Sequence, residues 1–146
     1  MKRTKQPRIL LAEDHRVVRE GLRVLLERQG FRVVGEASNG REAVQRATEL
    51  EPEVVILDVS MPFLNGIEAA REIHRLVPRT RAIILTAYND KQYVLQAFQA
   101  GAQGYVLKTR AVAELIQAIR DVVKGKFFLS PDIPQRYIPA PKASAS

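Results

Sequence analysis

Apolar residues recur along the chain in two alternating rhythms. Short continuous runs, Arg8-Ile9-Leu10-Leu11-Ala12, Val54-Val55-Ile56-Leu57-Asp58, Arg81-Ala82-Ile83-Ile84-Leu85 and Gly104-Tyr105-Val106-Leu107, are separated by stretches in which apolar residues return every three or four positions. A β-branched run bounded by turn signals predicts a strand buried on both faces, as in the middle of a parallel sheet. Phe31 to Ala37 is a more polar strand, suited to an edge. The spacing between strands predicts amphipathic helices. The first covers 16–29, with Val18, Leu22, Leu25 and Leu26 inward, and the second covers 41–50, with Ala43, Val44, Ala47 and Leu50 inward. The third covers 67–77, with Ile67, Ala70, Ile73 and Leu76 inward, and a weaker fourth covers 90–100. The fifth covers 110–124, with Val112, Leu115, Ile116, Ile119, Val122 and Val123 inward. Gly30, Pro78, Gly101 and Gly125 are the stops, and Ser38-Asn39-Gly40 supplies a turn and a helix cap. Strict alternation of five strands and five helices predicts one α/β domain, with a parallel sheet, right-handed crossovers and helices on both faces.

The ends of the strands carry the chemistry. The first runs into Glu13-Asp14, the third ends in Asp58, the fourth in Thr86 and the fifth in Lys108. In a parallel sheet all carboxyl ends share one edge, with neighbouring strands about 4.8 Å apart. A doubly wound order 2-1-3-4-5 gathers these side chains into one crevice, at the switch point between the first and third strands. Three acids in one crevice repel each other unless a cation intervenes. Hard oxygen donors suit Mg²⁺, which keeps several waters and often a phosphate oxygen. Lys108 adds a positive charge and Thr86 a hydroxyl. Cation, ammonium and hydroxyl around one carboxylate form a clamp for a phosphoryl group, and aspartate is a nucleophile in aspartyl-phosphate chemistry. The residues alone thus point to Asp58 as a phosphoryl acceptor assisted by Mg²⁺.

Composition narrows the alternatives. Apolar residues at 46% and charged residues at 27% are those of a globular domain, and 146 residues suffice for one core. No apolar stretch approaches a membrane span and no signal core follows the basic N-terminus, so a cytoplasmic location without membrane attachment is the expectation. The absence of cysteine excludes disulfides, thiol catalysis and Cys-ligated zinc. The net charge of +7 suggests nucleic acid, but the excess lies in the flanks at 1–8 and 124–146, and residues 9–123 are balanced. The core is therefore no electrostatic DNA footprint.

Taken together, Glu13-Asp14, Asp58-Val59-Ser60-Met61-Pro62-Phe63-Leu64-Asn65-Gly66, Thr86-Ala87 and Gly104-Tyr105-Val106-Leu107-Lys108 resemble the receiver domain of two-component response regulators. Leu11-Ala12-Glu13-Asp14-His15 with Val18-Arg19-Glu20-Gly21-Leu22 looks most like the NarL/LuxR-type subfamily, whose members usually carry a C-terminal helix-turn-helix. The resemblance implies a flavodoxin-like fold and transfer of a phosphoryl group to Asp58 from a sensor histidine kinase. It implies Mg²⁺ held by Asp14, Asp58 and the backbone carbonyl of Ser60, with Glu13 acting mainly through water. Thr86 and Lys108 would hold phosphoryl oxygens. Tyr105 would be the switch aromatic, turning inward as Thr86 moves. The surface of the fourth helix, fifth strand and fifth helix would be the output face and the seat of a homodimer. Such a domain would be a phosphoacceptor that also dephosphorylates itself, not a turnover enzyme.

Residue 109 is threonine where these domains commonly have proline. The expected organisation is a basic arm at 1–7, the receiver at 8–125, and a Pro/Ala/Ser-rich linker or tail at 126–146, with the DNA-binding effector domain absent. A single-domain receiver acting in a phosphorelay or as an interaction module is the alternative. A mononucleotide or flavin domain would want a glycine-rich loop where Glu13-Asp14-His15-Arg16 stands. An aspartyl phosphohydrolase would want a second Asp at position 60, which is Ser60.

Overall fold

The computed structural model describes residues 6–140. The basic arm expected at 1–7 and the tail expected at 126–146 fall outside the described residues over 1–5 and 141–146. The elements run β1 (Arg8–Ala12), α1 (Arg16–Arg28), β2 (Arg32–Ala37), α2 (Gly40–Leu50), β3 (Val54–Asp58), α3 (Gly66–Leu76), β4 (Arg81–Thr86), α4 (Lys91–Gln99), β5 (Gly104–Leu107), α5 (Ala111–Val123) and β6 (Phe128–Leu129). A 3₁₀ turn, Lys108–Arg110, joins β5 to α5.

The sheet is parallel, with order β2-β1-β3-β4-β5-β6. The expected order 2-1-3-4-5 is present, and the polar strand β2 is at an edge. A sixth strand, which the sequence did not announce, adds to the outer side of β5. The first part of the presumed linker is therefore structured: Phe128–Leu129 pairs with Gly104–Tyr105, and Leu129 and Ile133 are buried. Its proline-rich composition disguised a two-residue strand whose stability comes entirely from a distant partner.

Each central strand feeds two cores, because successive side chains point to opposite faces. Leu10, Val55, Leu57 and Ile84 pack with Ala43 and Ala47 of α2, Ile73 of α3, and Val94 and Phe98 of α4. Ile9, Leu11, Ile56, Ile83 and Val106 pack with Leu22 and Leu26 of α1 and Leu115 and Ile119 of α5. Three expected inward residues lie outside: Val18 is 44% exposed, Leu76 45% and Val112 76%. They stand at the margins of their helical stripes, beyond the arc the sheet covers.

Local sequence fixes where the loops at the carboxyl edge stand. Asn65 caps α3 in a reciprocal capping box: Glu68 N donates to Asn65 Oδ1 at 2.9 Å, and Asn65 N donates to Glu68 Oε1 at 3.1 Å. Gly66 has no room for a side chain, since a Cβ there would collide with the carbonyl oxygen of Asp58. The β3–α3 loop is thus folded tightly behind Asp58. Asn39 caps α2 by accepting from Glu42 N at 2.9 Å. No helix among the described residues is long and apolar enough to cross a membrane.

Candidate functional site

Asp58 ends β3, directly beside β1 and β4, and its side chain is fully buried. Its Oδ1 accepts from the Ser60 amide at 3.2 Å, and its Oδ2 accepts from Lys108 Nζ at 2.9 Å. Glu13, also fully buried, stands with Oε1 3.7 Å from the same ammonium. One lysine, itself partly exposed, therefore faces two buried carboxylates. Asp14 lies alongside at the mouth of the pocket.

The charges do not balance locally. Burial pushes the Glu13 carboxyl above its ordinary value of 4.5; the neighbouring Asp58 and Asp14 push in the same direction, and the His15 amide and Lys108 only partly oppose them. Burial pulls the Lys108 ammonium down, but its hydrogen bond to Asp58 and the charges of Asp58, Glu13 and Asp14 outweigh it and hold the group above the usual lysine value. Glu13 Oε1 and Asp14 Oδ1 are buried atoms with no hydrogen-bond partner. Buried oxygens without a hydrogen bond, in a set of hard donors, fit a small divalent cation, which would supply the missing charge.

The structure also gathers a residue that the sequence left aside. His15 stands in the loop after β1, and its Nδ1 lies 3.2 Å from both Glu13 Oε2 and Asp14 Oδ1. Potential ligand atoms of Glu13, Asp14, His15 and Asp58 all lie within 4.8 Å of one another. Adjacency to Glu13-Asp14 was the only signal for His15, and adjacency alone does not say which way a ring points. The other histidine, His74, is exposed on α3 and packs beside Gly101.

Thr86 follows Leu85, the residue paired with Asp58. Its hydroxyl accepts from the Tyr88 amide at 3.0 Å, and the Tyr88 carbonyl accepts from the Tyr105 hydroxyl at 2.6 Å. Tyr88, which no sequence signal singled out, thus links Thr86 to Tyr105. The Tyr105 ring is already fully inside. Burial pushes its phenol up to about 12, with the nearby Thr86 hydroxyl pulling the other way. The peptide bond after Lys108 is trans, as are all those described. The missing proline is thus accommodated at residue 109.

These acids, the lysine and the hydroxyl at successive strand ends match the response regulator receiver domain over residues 9–120. The chain belongs to that family. Response regulator GacA of Pseudomonas viridiflava is 40% identical over 130 residues, spanning 88% of this chain and 61% of the relative. Transcriptional regulatory protein LiaR of Bacillus subtilis is 43% identical over 120 residues, spanning 82% of this chain and 57% of the relative. The chain therefore covers about three fifths of the length of the curated relatives it matches. Among solved structures, a LuxR-family two-component response regulator from Aurantimonas superposes with a TM-score of 0.86 at 42% identity, covering 91% of this chain and 96% of that one. The isolated receiver domain of RcsB from Salmonella enterica, solved with a phosphomimetic BeF₃⁻, superposes with a TM-score of 0.80 at 29% identity, covering 92% and 100%. The receiver-domain fold expected from the sequence is thus the one observed.

Proposed function

We propose that this receiver acts in the cytoplasm and accepts a phosphoryl group on Asp58 from the phosphohistidine of a sensor histidine kinase. The observation that carries this reading is the buried Asp58 carboxylate, held at 2.9 Å by Lys108 beside two buried carboxylate oxygens that make no hydrogen bond. An Asp58 oxygen attacks phosphorus in line, the P–N bond breaks, and its electron pair returns to the imidazole nitrogen, which takes up a proton. Asp14, Asp58 and the Ser60 carbonyl would hold Mg²⁺ directly, with Glu13 acting mainly through water. The ion would neutralise charge on the phosphoryl oxygens. The Ser60 amide keeps Asp58 aimed. Lys108 exchanges part of its bond to Asp58 for one to a phosphoryl oxygen, and the Thr86 hydroxyl donates to another, shifting together with the Tyr88 amide it accepts from.

That exchange links the chemistry to the surface, since the Tyr88 carbonyl is the partner of Tyr105. Because Tyr105 is inside before any phosphoryl group arrives, its part would be to adjust this hydrogen bond, not to swing in from solvent. A groove of about 460 Å³, lined by Val18, Leu22, Leu25, Ala111 and Val112, opens beside Lys108 and offers apolar surface to a docking kinase. Reversal by water at Asp58 would end the signal. Control of transcription would belong to a DNA-binding effector beyond the length this chain shares with its relatives.

The test uses a histidine kinase autophosphorylated with labelled ATP. Label should pass to this chain in Mg²⁺ and fail to pass in EDTA or to Asp58→Asn. Label retained by Asp58→Asn would sink the assignment.

A further inference from the structure

The face built from α4, β5 and α5, the expected seat of a second copy, is occupied by the chain itself. Phe128 N donates to the Gln103 carbonyl at 2.9 Å and Ser130 N to the Tyr105 carbonyl at 3.0 Å, adding β6 to the edge of β5. Leu129 and Ile133, 2% and 1% exposed, join the core beneath α4 together with Tyr137 and Ile138. Phe128 packs on the opposite side, with α5. Lys91 of α4 lies over the Tyr137 ring, 5.6 Å from its centroid. The Gln135 amide donates to the carbonyls of Leu129, Ser130 and Ile133 and so fixes the shape of the segment.

The polar anchors of this segment attach to residues on either side of Lys108 in the chain. Ser130 is fully buried; its Oγ accepts from Leu107 N at 2.9 Å and donates to Glu114 Oε1 at 2.6 Å. Asp132 pairs with Arg110 at 2.9 Å. Tyr105, Leu107 and Arg110 flank Lys108, whose ammonium reaches inward to Asp58. One short stretch of backbone therefore carries the site lysine inward and the anchors of the segment outward.

We propose that Phe128–Ile138 is an intramolecular ligand of the α4–β5–α5 face, coupled through the Lys108 turn to occupancy of the Asp58 pocket. The coupling rests on the reading of Asp58 as phosphoacceptor. A phosphoryl group on Asp58 moves the acceptors for Lys108 outward, from carboxylate to phosphoryl oxygens. The turn carrying Lys108 and Arg110 follows, while Tyr105 and Leu107 stay in the sheet. Ser130 is tied to the sheet and Asp132 to the turn, so the two anchors lose register and the segment loosens. The surface beneath it then opens to a second copy of the chain. Reciprocity of linkage requires that loosening the segment favour the loaded pocket.

Hydrogen exchange at the Phe128 and Ser130 amides, read by NMR with and without Mg²⁺ and beryllofluoride, tests this, with the fluorine signal reporting occupancy. Both amides should exchange about tenfold faster once fluoride is bound, and Ser130→Ala should bind beryllofluoride about fivefold more tightly. Asp132→Ala, at an exposed position, should shift affinity in the same direction without risk to folding. Bound fluoride with unchanged amide rates, or an unchanged affinity in Asp132→Ala, overturns the coupling and leaves the phosphoacceptor reading standing. No bound fluoride in the native chain overturns both.

Discussion

The two ends of the sheet are built to opposite rules. At the amino end, polar side chains meet their counterparts. Arg8 donates to the carbonyls of Leu50 and Glu51 at 3.0 Å each, the Thr80 hydroxyl donates to the Pro52 carbonyl at 2.7 Å, and Arg81 donates to Gln103 at 2.9 Å. At the carboxyl end, Glu13 and Asp58 share one ammonium with Asp14 alongside, and two buried oxygens make no hydrogen bond. Both ends border the same apolar layers. Polar groups are thus satisfied at the end that only holds the sheet together and left in conflict around Asp58, the pattern expected of a functional site.

Substitutions at the two ends should therefore change stability with opposite signs. The largest effect is expected at the amino end. Thr80→Val strands the buried Pro52 carbonyl and should cost about 2 kcal/mol in urea unfolding. Glu13→Gln, at the carboxyl end, should instead stabilise by about 1 kcal/mol, because it removes a charge that burial disfavours, and should weaken Mg²⁺ binding. Destabilisation by Glu13→Gln would break the comparison.

A smaller effect follows from the sign of the Glu13 shift. With its folded value raised above 4.5, the group favours the folded state at low pH, and that support is lost as pH rises through the folded value. Mg²⁺ should therefore raise Tm more at pH 8 than at pH 5, and an equal gain at both would count against cation binding at Glu13. The smallest effect is at Tyr105, beyond the pocket. Of the four tyrosines, one should ionise last, near 12, and Tyr105→Phe should abolish that step in an absorbance titration. Tyr105 supports the fold below pH 10, and this support disappears as pH rises toward 12.

The contrast between the ends also explains what could be read in advance. Buried parallel strands leave continuous β-branched runs in sequence, so β1, β3, β4 and β5 declared themselves, and the residues ending them had to share one edge. Asp58, Glu13, Asp14, Thr86 and Lys108 could be placed by that reasoning alone. Features made by long-range contact could not. β6 has two residues and no period, and it exists only because β5 offers an unpaired edge. His15 reaches Glu13 and Asp14 through a ring orientation that no spacing encodes. Tyr88 contributes its backbone to the path from Thr86 to Tyr105, so its side-chain type carried no signal.

On the function proposed above, the conflict around Asp58 would serve to receive a phosphoryl group. Incubation with Mg²⁺ and a small-molecule phosphodonor, followed by intact-mass measurement, tests it most directly. The native chain should gain the mass of one phosphoryl group, labile at alkaline pH, and Asp58→Asn should gain none. An unmodified native chain, or the same gain in Asp58→Asn, would contradict the account.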